Sequence, residues 1–203
     1  EEVSFISQRN FNLLKLFKRT DFKKIFNSLI IILVMPLRPG RCYSKLDTMP
    51  YTRKEYIGGF PAPKITKFDH GNIKGNFELI VELKALEDGL IRSNALEAAR
   101  MAVVKYLETK VGLNNFHFKV VKYPFHVIRE NKMLAMAGAD RLQEGMRLAF
   151  GKPIGTAAIV KKEDRIMFVR CNKSSLEAVK KSLKIASSKL SVKTRIEIKN
   201  LSS

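Results

Sequence analysis

Histidine and cysteine are scarce in this chain, and their placement excludes a metal site built on them. His70, His117 and His126 have no metal-ligand spacing with one another or with Cys42 and Cys171. The two cysteines sit in unrelated contexts, so there is no disulfide framework, which fits a reduced cytosolic compartment. A phosphate-binding glycine loop is also missing. GMRLAFGKP comes nearest, but Phe150 stands where the second glycine belongs and Pro153 where a magnesium-holding Ser or Thr belongs. Asp140 before Arg141 reads as a helix N-cap or first-turn acid rather than a general base. No nucleophile–base pair emerges, so the chain is expected to be no enzyme, with no cofactor, no metal and no small-molecule substrate.

Acid is the other shortage. Nineteen Asp and Glu stand against 38 Lys and Arg, a formal charge of +19. An excess of that size repels itself in a compact state unless an acidic partner compensates it. Nucleic acid is the foremost candidate, ahead of an anionic membrane or an acidic protein. With 203 residues, 45% of them hydrophobic, the chain can bury one proper core.

Long apolar runs are lacking as well. Leu29, Ile30, Ile31, Ile32, Leu33 and Val34 follow Lys23 and Lys24, like the apolar region of a targeting segment. That run falls well short of the roughly 20 residues that span a bilayer. Residues 1–34 are crowded with Phe, and Met35 opens a stretch of different character. The expected reading is that 1–34 is a non-native extension from a mis-called start. An amphipathic helix ranks second and a targeting segment third.

Residues 35–63 are basic and rich in Pro, Gly and Tyr without a hydrophobic period, which predicts an irregular arm. Arg38, Arg41, Lys45, Arg53 and Lys54 supply charge there, and Tyr43, Tyr51 and Tyr56 supply faces for stacking on RNA. Beyond the arm, periodicity predicts strands over 64–69, 77–86, 115–123, 156–161, 165–171 and 193–199. A helix is predicted over 94–111, opened by an Asn94–Glu97 capping box and stopped by Gly112. Its core face is Leu96, Ala99, Val103, Tyr106 and Leu107. A second helix starts at Ser174 with Glu177 three residues on.

SNALEAARMAVV and KSSLEAVKKSLK hold the same place in two β-β-α-β halves. The predicted fold is therefore α+β, a two-layer sandwich of a mixed β-sheet and two main helices over 64–200. On the 115–123 strand, Phe116, Phe118 and Val120 share one face, and His117 is expected to meet solvent or RNA.

Between the halves lies an inserted basic loop-helix segment, 129–155. Arg129, Lys132, Arg141, Arg147 and Lys152 punctuate small or apolar residues there. Leu142, Met146 and Phe150, four apart, predict a helix. Gly138, Gly151 and Gly155 are expected to let the backbone approach RNA closely. Arg129, Arg141 and Arg147 can clamp phosphates bidentately, with Lys132 and Lys152 acting as point charges. His126 is placed either on RNA or in the core.

ADRLQEGMRLAFGKPIGTAA, PFHVIRENKMLAMAGAD, RPGRCYSK and YTRKEYIGGFPAPKITKFD together resemble a universal ribosomal protein family of the large subunit. It is the archaeal and eukaryotic L-ten-e family, counterpart of bacterial L-sixteen. The likeness runs from Met35 to about Asn200, and the archaeal branch fits best. It implies binding of large-subunit rRNA at the base of the central protuberance, among neighbouring ribosomal proteins of the cytoplasmic ribosome. The loop carrying Asn131, Met133, Ala137, Gly138 and Asp140 then points toward the peptidyl transferase centre and the tRNA acceptor end. Two other readings stay open. One is a free-standing RNA-binding or rRNA-maturation factor; the other is a membrane-attached basic protein, if 1–34 is native.

Overall fold

The computed structural model describes residues 38–43, 49–131, 147 and 149–201. The chain divides into two units, Glu1–Arg38 and Pro39–Ser203, and the architecture is that of the second. The readings made for residues 1–34 and for a helix over 140–150 fall outside the described residues, except for Arg147, Ala149 and Phe150.

The core is built where the alternation is strongest. Strands β1 (Asp69–Gly71), β2 (Leu79–Ala85), β4 (Phe116–Val120), β7 (Arg165–Cys171) and β8 (Thr194–Asn200) form one sheet, with β7 at its centre. The order is β1-β4-β7-β2-β8, and every neighbour pair is antiparallel. Leu79, Val81 and Leu83 on β2, Phe116, Phe118 and Val120 on β4, and Val169 and Cys171 on β7 all enter one apolar cluster. Full burial of each such side chain contributes about 1.5–3 kcal/mol. Burial also pushes the Cys171 thiol up to about 11.

Helices α1 (Ser93–Lys110) and α2 (Leu176–Ser187) pack on each other and cover that face. Leu96, Ala99, Val103 and Leu107 recur at three- and four-residue spacing and are fully buried, as expected, whereas Tyr106 is half-buried. Val179, Leu183 and Ala186 answer from α2. Gly112 ends α1 with φ +86°, a conformation that a Cβ disfavours.

The capping box is not formed. Ser93 is already helical and no side chain caps the end. Glu97 instead accepts from Arg100, whose other guanidinium nitrogen lies 2.8 Å from His70 Nε2. The Arg100 hydrogen bond holds Glu97 below the usual carboxylate range, and burial with the Arg100 charge lowers His70. Helix α2 begins at Leu176, after a 3-10 turn over Lys173–Ser175, and also lacks a side-chain cap.

The single mixed sheet is replaced by two antiparallel ones. Strand β3 (Gly89–Arg92) leaves the first sheet and joins β6 (Lys152–Val160) and β5 (His126–Glu130) in the order β3-β6-β5. In the first sheet β2 and β4 run parallel but never touch, because β7 lies between them. The two crossovers, β2 through α1 to β4 and β7 through α2 to β8, interleave as a split β-α-β arrangement. The first strand, predicted over 64–69, is found instead at Asp69–Gly71, sharing only Asp69 with the prediction. Gly71, at φ +83°, lies so close to β4 that a Cβ there would meet the Phe116 carbonyl oxygen at 2.2 Å.

His117 is not presented to solvent. It is 3% exposed, with Nε2 3.2 Å from Asp69 Oδ1 and its ring edge-on to Phe168.

Candidate nucleic-acid interface

The second sheet supports the basic residues of the central stretch. Strands β5 and β6 pair from His126↔Ala157 to Glu130↔Lys152, with a bulge between Ile128 and Arg129. A bulge turns the local side chain away from the regular alternation, and here it accompanies an unusual setting for Arg129. Its guanidinium carbon sits 3.3 Å from the centre of the Phe150 ring and 4.4 Å from that of Tyr51. The two rings meet edge-on, with centres 6.0 Å apart. Its Nη1 is buried without a hydrogen-bond partner. Cation–π attraction is worth about 0.5–1 kcal/mol at exposed sites and more when desolvated, so each ring fixes the cation and the cation fixes the rings. Phe150 nevertheless remains 70% exposed.

Tyr51 is held there by the backbone. Its N–H donates to His126 Nδ1 at 3.0 Å, and its carbonyl accepts from Val127 N–H at 3.0 Å. Burial, then the Arg129 charge, lowers the His126 pKa. The imidazole therefore stays neutral and keeps Nδ1 as an acceptor. Of the two placements considered for His126, the structure gives a half-buried residue that docks the arm.

Gly151 serves the chain's own packing. A Cβ there would lie 2.3 Å from the Glu130 carbonyl carbon and 2.5 Å from Asn131 N. That backbone crossing brings the two ends of the inserted segment together at the end of β5 and the start of β6. Gly155, expected in a pliant loop with Lys152, lies with it inside β6. A Cβ on Gly155 would meet nothing within 4 Å.

The arm's other residues divide. Tyr43 packs half-buried on Leu90, Ile128 and Ala157 of the second sheet, which makes it an anchor rather than an open stacking face. Arg53 and Lys54 are exposed, and the Lys54 ammonium lies 5.2 Å over the Phe60 ring. Arg38, Arg147, Lys152 and Asn131 are exposed. Arg41 lies in the 3-10 turn Gly40–Cys42. Lys45, Lys132, Met133, Ala137, Gly138, Asp140 and Arg141 lie outside the described residues. The structure thus joins Tyr51, His126 and Arg129, while Arg53, Lys54 and Lys152 form no ion pair among the described residues.

Phe150, expected at an apolar position of a helix, is an exposed ring outside any helix. The available signal was an aromatic between two cations, Arg147 and Lys152. Phe125, 40% exposed beside His126, was overlooked on the same ground.

The outer face of the five-stranded sheet is also rich in cations, and most of them are paired with acids. Among the described residues Arg170 is the exception, its guanidinium lying over the Phe168 ring with Nε buried and unpartnered. Glu82, buried at mid-strand, receives Arg165 at 2.7 Å and Lys199 at 3.0 Å. Glu197 receives Lys84 at 2.7 Å and Arg195, which also reaches Glu163 at 3.0 Å. Asp69 receives Lys119 at 3.3 Å.

Comparison with known proteins gives a consistent result. The family model described as ribosomal protein L16p/L10e matches residues 46–197. The chain is 59% identical over 169 residues to the large ribosomal subunit protein uL16 of Sulfolobus acidocaldarius, covering 82% of this chain and 96% of that one. It is 54% identical over 167 residues to uL16 of Staphylothermus marinus, with coverage of 82% and 96%. Identity to uL16 of Metallosphaera sedula is 57% over 166 residues, with coverage of 81% and 95%.

Proposed function

Given that this chain belongs to the L16p/L10e family of ribosomal proteins, in its archaeal form, we propose how its residues serve the large subunit. The chain is a structural constituent of the large subunit of the cytoplasmic ribosome, not an enzyme, and its partners are rRNA and ribosomal proteins. The proposal concerns where RNA is met. Residues 35–63 form an rRNA-binding arm. The Tyr51–Arg129–Phe150 stack, with Arg53, Lys54 and Lys152 around it, is the point at which the scaffold holds RNA. The segment carrying Asn131, Lys132, Met133, Ala137, Gly138, Asp140 and Arg141 extends from it toward the tRNA acceptor end beside the peptidyl transferase centre.

One observation carries this reading: an aromatic ring that is 70% exposed is nonetheless fixed in place by a guanidinium. An exposed ring gains nothing from its own burial, whereas a pre-positioned ring can receive a base at about 1–3 kcal/mol. Arg53, Lys54 and Lys152, which have no acid partner among the described residues, leave none behind when they take a phosphate. Each phosphate so neutralised releases condensed counterions and steepens the salt dependence of binding. The bulge and the Gly151 crossing fix where the inserted segment departs.

The test is a photo-crosslinker at Asn131 in reconstituted large subunits carrying P-site tRNA. A crosslink to the tRNA acceptor end or to adjacent peptidyl-transferase rRNA is expected. Crosslinks confined to remote rRNA would overturn the placement. The other readings of the sequence, a free-standing maturation factor and a membrane-attached protein, find no support in the relatives.

A further inference from the structure

A second surface lies at the β8 edge of the first sheet, and its chemistry differs from that of the arginine stack. Between α2 and β8 runs a groove of about 390 Å³ lined by Lys180, Lys181, Lys184, Ile196 and Ile198. None of the three lysines has an acid partner among the described residues. Ile198 is 42% exposed.

Strand β8 ends the sheet order, so one of its edges has no neighbouring strand among the described residues. The register fixes which residues own that edge. Leu86 N–H donates to the Lys193 carbonyl and Leu201 N–H to the Glu78 carbonyl. Alternation in an antiparallel ladder therefore turns the backbone of Arg195, Glu197 and Lys199 toward β2. Ile196 and Ile198 turn their N–H and C=O groups outward, and the same two residues supply the apolar floor.

We infer that this groove receives an extended acidic protein segment, which adds to β8 as a further strand. Its apolar side chains rest on Ile196 and Ile198, and its carboxylates meet Lys180, Lys181 and Lys184. Strand addition takes affinity from main-chain hydrogen bonds and specificity from alternate side chains, and all three components are present. RNA would use the lysines but neither the isoleucines nor the open edge. A second copy of this chain, at +19, has the wrong charge, and no segment outside the described residues carries an excess of acid.

The probe is the synthetic peptide DEVEIEVED, titrated into the full chain and followed by amide exchange. The amides of Ile196 and Ile198 should gain at least about tenfold protection, while those of Glu197 and Lys199, already bonded to β2, should not change. The peptide DESESESED, and the variant Lys180→Glu/Lys184→Glu against DEVEIEVED, should each bind about tenfold more weakly, a difference of about 1.4 kcal/mol. The variant Ile198→Lys should abolish the protection. Equal binding of both peptides, or a decauridylate that displaces DEVEIEVED stoichiometrically, would assign the lysines to a non-specific polyanion and overturn the inference. Binding without protection at Ile196 and Ile198 would overturn the strand pairing.

Discussion

The outer face of the five-stranded sheet and the β5–β6 end carry similar numbers of cations and treat them in opposite ways. On the sheet, Glu82, Glu197 and Asp69 each hold two basic groups, counting His117, and only Arg170, which lies over the Phe168 ring, is without an acid among the described residues. At the β5–β6 end Arg129 is held by rings, and Arg53 and Lys152 are held by no acid among the described residues. A formal charge of +19 says that a polyanion is wanted. Only the distribution of acids says where it can land. A phosphate approaching Arg165 must compete with a carboxylate already in place, and one approaching Lys152 competes with water.

Four variants sharpen this contrast. The largest effect is expected at Gly151→Ala, where the new Cβ meets the Glu130 and Asn131 backbone. A stability loss of about 3 kcal/mol follows from such a clash, read as a lowered midpoint in urea, with loss of rRNA binding as the stack comes apart. Next is Arg129→Ala/Phe150→Ala, which should weaken rRNA binding by about 2–3 kcal/mol, from one stacking platform and one charge. Its stability loss should stay at about 1–2 kcal/mol, from the two cation–π contacts of Arg129, because Phe150 itself is exposed.

Glu82→Gln should show the reverse pattern. Its carboxylate is buried and serves Arg165 and Lys199, whose side chains are about half exposed. Discounting for that exposure, about 1–2 kcal/mol of stability is lost, while the rRNA affinity measured on folded protein does not fall. Lys152→Ala is the smallest of the four, reducing the salt slope of binding by about 1.

Acid should separate the arm from the sheet. The folded His126 pKa is depressed from its ordinary 6.5 by burial and Arg129. Protonation is therefore disfavoured in the docked state, and the stability it lends is fully present above pH 6.5 and lost as pH falls through the lowered value. The Tyr51 and Val127 amides should exchange faster below that pH, and His126→Gln should flatten the dependence. His70, lowered in the same direction, contributes to global stability in the same window, so the arm amides rather than the unfolding midpoint isolate His126.

Local periodicity made much of the fold readable. Leu96, Ala99, Val103 and Leu107 announce the buried face of α1, and Phe116, Phe118 and Val120 that of β4, because helix and strand repeat every 3.6 and two residues whatever they pack against. What could not be read depends on contacts between distant positions. The insertion of β7 between β2 and β4 turns an expected mixed sheet into antiparallel pairs, and no local pattern encodes it. His117 alternates with buried phenylalanines and so reads as exposed, but Asp69 and Phe168 enclose it from the other face. The stack unites residues 51, 129 and 150, and Gly151 reads as a point of close approach to RNA because its true neighbour, the Glu130–Asn131 backbone, is about 20 residues back.

The most direct measurement is the salt dependence of binding to large-subunit rRNA for two matched triple variants. One removes Arg53, Arg129 and Lys152 as alanines, and the other removes Lys84, Lys119 and Lys199. The first should lose about 2–3 from its log–log slope, at roughly 0.7–0.9 per phosphate, and the second should keep the slope of the unmodified chain. Equal losses in both, or a loss only in the second, would contradict the claim that acid pairing closes the sheet face and leaves the β5–β6 end to RNA.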